Sequence, residues 1–363
     1  MSSRNLGARL EDQLNRRGVH LLRQVGWYPR VIGYESYGSI HKARVLARVV
    51  MRKPGHDGEG TLITELPDPA APLSEIREAT VRSLRQAQRG WRQFIGSAVP
   101  FYPVTITLGE ARLETRADRS GIIDLVIRGH RLSPGVHTAR IEGPASEPAE
   151  TLIHVVDPAE RFGVVCDIDD TVMVSHLPRP LVAFWNSFVK YTDTREAVPG
   201  MSSLLSHLEQ SHPTAPIIYL STGAWNVVPT LRSFMVRNKI PLGPMLMTDW
   251  GPTNTGWFRS GQGHKRTQLR RLLLDLPQIK WLLIGDDGQH DPIIYSELAR
   301  EHTENVRAIA IRQLSPSEQV LNHLSPAPLE VYGPDSVLSA PVPQLYGVDG
   351  HELKSLLSEL EQI

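Results

Sequence analysis

At 363 residues the chain exceeds the usual size of one domain, so two hydrophobic cores are expected rather than one. Its 40% apolar content, with 39 Lys+Arg against 39 Asp+Glu, describes an ordinary folded chain, and no segment reaches the apolar length of a bilayer span, which excludes an integral membrane protein. A single cysteine, Cys166, excludes an internal disulfide and any multi-cysteine zinc site and agrees with a reducing compartment.

The amino terminus, MSSRNLGARLEDQLNRRG, mixes charges and shows no apolar stretch ahead of a small-residue cleavage site, so a cytoplasmic location is expected. Residues 1–53 carry eleven Lys/Arg and three Asp/Glu, a surplus of +8 that leaves −8 for the remainder. Such an arm can approach anionic lipid or nucleic acid, complement an acidic second half, or simply be solvated, and the sequence leaves these open. Leu6, Leu10, Leu14, Leu21 and Leu22 recur at loosely helical spacing and predict a leading helical segment over 1–26. Over 27–160 the pattern changes to short alternating runs, ARVLARVVM, VTITLG, ARLETRAD and GIIDLVIRG, punctuated by Gly, Pro and Asp. That pattern predicts a β-sandwich-like domain, with one helical insertion from about Leu73 to Ile95.

At Arg161 buried-strand runs begin, FGVVC, PIIYL, WLLIG and VRAIAI, separated by helix-like segments. Strands alternating with helices predict an α/β domain with a parallel sheet over 161–314, whose chemistry sits outside the carboxyl ends of the strands. The remaining stretch, 315–363, reads as a Pro- and Ser-rich extension closed by an amphipathic helix, Gly350 to Leu360. Its Leu353, Leu356, Leu357 and Leu360 share a face expected to dock on the body.

The strand Phe162 to Cys166 runs into Asp167, Ile168, Asp169, Asp170 and Thr171, a carboxylate cluster that needs a cation. Phosphoryl transfer requires an in-line nucleophile, a proton donor for the leaving oxygen and positive charge on the equatorial oxygens in one small site. Asp167 suits the nucleophile and Asp169 the general acid and then base, with Thr171 holding the loop. A calcium loop fails because Val172 and Arg179 stand where that pattern needs Gly and Glu; a solvated turn stays open for the cluster taken alone. The next strand, Ile217 to Leu220, is expected to end in Ser221, with Thr222 and Gly223 continuing a loop that binds a phosphate oxygen. Lys265 is expected to open a helix, Lys265 to Leu274, and to neutralise phosphate and nucleophile together; a solvated helix lysine is the alternative. Arg259, His264 and Arg266 could extend that anion site or lie on the surface. In WLLIGDDGQHDP, Asp286 follows a buried strand, with Asp287 and Asp291 behind it. The expected magnesium shell is Asp167, the Asp169 carbonyl, Asp286 and the substrate phosphate, with Asp291 behind it or at a helix start before Pro292.

The ordered set DxDxT at Asp167 to Thr171, Ser221, Lys265 and GDxxxxD at Asp286 to Asp291 resembles the haloacid dehalogenase superfamily of phosphatases. The longer strings STGAWN, GHKRTQLRRLL and IGDDGQHDPIIY are similar to the catalytic domain of App1-type phosphatidate phosphatases, over Arg161 to about Leu314. The upstream region beginning PRVIGYESYG is similar to the amino-terminal part of bacterial members. The resemblance implies a Rossmann-like parallel sheet with a small helical cap, Mg2+, and hydrolysis of phosphatidate to diacylglycerol and phosphate. Two departures stand out: Asp287 where a small residue is common, and Gly223–Ala224 in place of Ser-Pro. HLPRPLVAFWNSFVKY would supply the cap, its Leu181, Phe184, Trp185 and Phe188 facing either lipid or the domain itself. A phospholipid at a membrane surface, reached from the cytoplasmic side of the inner membrane, is thus the expected partner, and nucleic acid is not. A soluble phosphomonoester, such as a sugar phosphate or nucleic-acid end, is the alternative substrate. A partner-binding protein with a vestigial catalytic half is the third reading.

Overall fold

The computed structural model describes residues 22–24, 26–52, 98–174, 196–248, 261–288, 290–315, 318 and 340–361. Most of the expected leading helix, the helical insertion at 73–95, the segment HLPRPLVAFWNSFVKY and Arg259 lie outside these residues. The chain divides into two compact units. One takes in Met1–Pro158 with Val228–Ser233 and Asp249–Arg259, the other Ala159–Val227, Phe234–Thr248 and Ser260–Ile363.

The first unit is built from Tyr28–Tyr34 (β1), Ser36–Ser39 (β2), Lys42–Arg52 (β3), Pro103–Leu108 (β4), Ala111–Arg116 (β5), Ile122–Arg128 (β6), Gly135–Glu142 (β7) and Ala149–Val156 (β8). A sandwich pattern leads one to expect two sheets; these strands instead share one hydrogen-bonded network, in the order β1-β3-β2-β8-β7-β4-β5 with β6 on β3. The eleven-residue β3 makes this possible. Its Leu46–Arg52 stretch pairs with β1 and its Lys42–Arg48 stretch with β6. Alternation then sets the core: Ala43, Val45, Ala47, Val49 and Met51 of β3 pack with Val104, Ile106 and Leu108 of β4 and with Ile141 and Ile153. On the other face of β3, buried Arg44 is held by a two-pronged bond to Asp124 at 2.9 and 2.8 Å.

The second unit is mixed α/β. Phe162–Asp167 (β9), Ile217–Ala224 (β10), Met245–Thr248 (β11), Lys280–Asp286 (β12), Val306–Arg312 (β13) and Gln344–Gly347 (β14) form a parallel sheet in the order β11-β10-β9-β12-β13-β14. The chain enters at β9, builds outward to β11, then returns to β12 and builds the other way. The carboxyl ends of β9, β10 and β12 therefore border the point where the connections diverge, the usual place for a ligand in an open α/β sheet. The helices among the described residues are Met201–Ser211 (α1), Val228–Arg237 (α2), Gly261–Asp275 (α3), Asp291–Glu301 (α4) and Gly350–Glu361 (α5), with Val228–Ser233 of α2 counted in the first unit and the rest in the second. α3 packs on α4, and α5 on α1 and β14. Buried Leu353 and Leu357 anchor α5, and Gly200, at φ 75°, lets the chain entering α1 come close to it: a Cβ there would lie 2.2 Å from the His351 nitrogen. β14 comes from the stretch set apart above as an extension, yet it is a strand of the same sheet.

Two expected boundaries move. β10 continues to Ala224 because it pairs with β11 as far as Thr248, across a register shift after Leu220, so Ser221, Thr222 and Gly223 lie in strand and not in loop. α3 begins at Gly261 and runs through Gly263, so Lys265 sits beyond the first turn and does not open the helix.

Candidate active site

β9 and β12 are continuous apolar runs, Val164 to Cys166 and Trp281 to Ile284, buried on both faces and paired in register. Each delivers an aspartate at its last position, Asp167 and Asp286. From α4, whose first residue is Asp291, a third carboxylate joins them. One oxygen of each of these three buried side chains lies within 4.8 Å of the others. Gly285 permits this approach, since a Cβ there would stand 2.6 Å from Asp291 Oδ2. Lys265, only 2% exposed, reaches the same point from α3, with Nζ 2.7 Å from Asp167 Oδ1 and 2.6 Å from Asp291 Oδ1.

Asp169 and Ser221 stand beside this group. The Ser221 hydroxyl donates to Asp169 Oδ2 at 3.0 Å and accepts from the Gly223 amide at 2.9 Å, so that amide is engaged within its own strand end. Thr222 is partly exposed. The Thr171 hydroxyl lies 3.4 Å from both Asp167 Oδ2 and Asp286 Oδ2 and bridges the two strand ends. The Gly288 amide donates to Asp286 Oδ1 at 2.8 Å.

The charges do not balance. Asp167, Asp169, Asp286 and Asp291 are all buried, and Lys265 is the one ammonium set among them by the described residues. Burial pushes the Asp167 carboxyl up to about 8 against the pull of Lys265, and Asp291 and Asp169 add to the rise. Burial likewise drives Asp286 well above its ordinary value, with Asp291 and Asp167 next in effect. Burial opposes the charge of Lys265, yet Asp167, Asp291 and Asp286 outweigh it and hold the ammonium charged. Four buried carboxyls around one ammonium leave the group short of positive charge. Asp291 Oδ2 has no hydrogen-bond partner among the described residues. A buried set of oxygen donors with one oxygen unclaimed is the chemistry that suits a hard divalent cation.

Residues 162–313 match the family described as Phosphatidate phosphatase APP1, catalytic domain. The chain carries an App1-type domain. Among curated proteins it is 24% identical over 197 residues to Phosphatidate phosphatase APP1 of Saccharomyces cerevisiae, covering 51% of this chain and 33% of that protein. It is 26% identical over 157 residues to an uncharacterized protein of Schizosaccharomyces pombe, covering 42% of this chain and 25% of that one. The chain thus spans a quarter to a third of the length of these relatives. Among solved structures, an uncharacterized protein from Listeria monocytogenes serotype 4b aligns at 14% identity and a TM-score of 0.35, over 56% of this chain and 99% of that one.

Within the App1-type domain several flanking residues find other partners. Arg266 pairs with Glu297 of α4 at 2.7 Å, and the buried His264 ring lies 3.4 Å from the Leu246 carbonyl. Asp287 does not join the metal-type cluster: its Oδ1 accepts from the Leu314 amide at 2.8 Å. Asp291, set behind the metal shell in the sequence reading, stands in the cluster itself. Burial pushes the Cys166 thiol well up, leaving an inert strand residue. Pattern reading passed over Asp170, Arg312 and Glu318, which lock the loop after β9. Asp170 takes φ 60°, and its carbonyl accepts from buried Arg312, which also binds Glu318, both at 2.7 Å. Asp170 stood in plain view between Asp169 and Thr171; nothing in the sequence pointed to the other two.

Proposed function

We propose that this chain is a magnesium-dependent phosphomonoesterase of the phosphatidate phosphatase kind, built on a haloacid dehalogenase-type, Rossmann-like domain and working through an aspartyl-phosphate on Asp167. The observation that carries the reading is the meeting of Asp167, Asp286 and Asp291 with Lys265 at the carboxyl ends of adjacent parallel strands. The family match and the name of the yeast relative support the phosphatidate assignment.

Asp167, Asp286 and Asp291 would hold the cation, together with the Asp169 carbonyl. When bound, the ion neutralises charge on the transferring phosphoryl group. Lys265 opposes the rise that burial gives the Asp167 carboxyl and, together with a bound cation, would favour its ionised form facing the substrate. An Asp167 oxygen attacks phosphorus and the bond to the alcohol oxygen breaks, while Asp169 gives that oxygen its proton. Asp169 then takes a proton from water, whose oxygen attacks phosphorus, releasing inorganic phosphate and restoring the Asp167 carboxylate. Ser221, bonded to Asp169, orients the acid in both steps and, with Thr222 and Gly223, lines the phosphate position; Thr171 keeps Asp167 and Asp286 in register. With phosphatidate as substrate the products are diacylglycerol and phosphate, formed where the enzyme meets the cytoplasmic membrane face.

The test is a panel of phosphatidate in mixed micelles and soluble phosphomonoesters, each with magnesium and with chelator. Magnesium-dependent phosphate release that favours phosphatidate is expected. Good turnover of soluble esters with none of phosphatidate would overturn the lipid assignment, and no turnover of any ester would overturn the phosphatase.

A further inference from the structure

Resting on that phosphatase reading, we propose that Arg312 is a positioning residue for the reaction, a buried clamp that fixes the loop carrying Asp167, Asp169 and Thr171. The loop needs one. Asp170 adopts a left-handed backbone conformation, φ 60°, which Asp tolerates better than most residues but which still costs free energy that surrounding contacts must offset. Its amide donates to the Met173 carbonyl at 2.8 Å, and Val172 and Met173 both donate back to Ile168, closing a tight turn. The Asp170 carbonyl, pointing out of that turn, accepts from Arg312 Nη1 at 2.7 Å, across 142 positions of sequence. Asp169 and Thr171 flank the clamped residue directly, so rotation at Asp170 would move the proposed acid and the hydroxyl that bridges Asp167 to Asp286.

The clamp is itself held. Arg312 ends β13 opposite Asp286 of β12, so its backbone is fixed to the strand that carries a proposed metal ligand. Its side chain is 6% exposed, and Nη2 donates to Glu318 Oε1 at 2.7 Å. The second Glu318 oxygen accepts from the Ser315 amide at 2.9 Å and the Ser315 hydroxyl at 2.8 Å. Asp287 completes the frame, its amide donating to the Arg312 carbonyl at 3.0 Å and its carboxylate accepting from Leu314. A guanidinium buried against one neutral carbonyl would be costly alone; Glu318 supplies the counter-charge, and the fork lets one cation hold a loop and a carboxylate at once. The route from Arg312 to the reacting groups therefore runs through the Asp170 backbone.

Arg312→Lys and Glu318→Ala, each purified as full chain, would be compared with wild type in two measurements. In magnesium-dependent turnover both are expected to lower kcat about tenfold to a hundredfold with KM within about twofold, as misplacement of catalytic groups without loss of substrate contacts requires. In amide hydrogen exchange, protection should fall across 168–174 while α5 keeps its protection. Unchanged kcat in both variants would overturn the clamp, as would a loss of protection spread evenly through the unit, which marks general destabilisation. If wild type itself turns over no phosphoester, the phosphatase reading fails, and the exchange pattern alone still decides whether Arg312 holds the loop.

Discussion

Lys265 brings a full positive charge into a site from which solvent is almost absent, an arrangement that survives only because two carboxylate oxygens sit 2.6 and 2.7 Å away. Replacing it by Met keeps the length and removes the charge. Turnover by Lys265→Met should fall by about a hundredfold to a thousandfold, the usual effect of deleting one preorganised electrostatic partner, checked by steady-state phosphate release. Retention of most of the activity would mean that Lys265 only fills space. Asp167, Asp169, Thr171 and Asp286 could be named from the sequence because they cluster just past continuous apolar runs, where the chain must leave the sheet. GDxxxxD singled out Asp291 over Asp287 but left it behind the shell or at a helix start; the start of α4 places Asp291 in the cluster itself, while Asp287 caps the Leu314 amide. Arg312 and Glu318 were invisible because their meaning lies in a contact with Asp170, far away in sequence.

At the scale of elements, legibility followed hydrophobic runs. The strand runs Val164 to Cys166 and Val306 to Ile311 are rich in apolar residues and bounded by turn residues, whereas β11 has four residues, MLMT, and β14 reads QLYG, with one fully buried position. Neither of the short pair is long enough to show a period; both are strands because a neighbour offers an open edge. The carboxyl-terminal helix was legible from its leucine face, but its partner was not. α5 covers α1 and β14 through Leu353, which is fully buried. Leu353→Ala should cost about 2–4 kcal/mol of unfolding free energy, measured by denaturant titration. A loss below about 0.5 kcal/mol would show that α5 is dispensable to the unit.

At the scale of the molecule, the two units differ in how their charges are settled. The second concentrates carboxylates around one lysine, while the first, which includes the first turns of α2, buries Glu35 between Arg232 and His154. Burial would raise the Glu35 carboxyl, but Arg232 and then His154 outweigh it and hold it below its ordinary 4.5. A depressed carboxyl contributes stability that is fully present above about pH 4.5 and is lost as pH falls below that value. Glu35→Gln should therefore flatten the acid side of the stability–pH curve below about 4.5, read by thermal unfolding across pH, whereas an acid slope identical to wild type would remove Glu35 as a determinant. The sheet of the first unit also shows where a sequence pattern stops: alternation in β3 marks it as a strand but cannot say that one long strand joins three partners.

The reaction proposed for the second unit has one direct signature. Wild-type protein quenched in acid during magnesium-dependent turnover, digested and mapped by mass spectrometry, should carry its phosphoryl group on Asp167, and Asp167→Asn should carry none and release no phosphate. A phosphoryl group on any other residue, or undiminished phosphate release by Asp167→Asn, would contradict the mechanism.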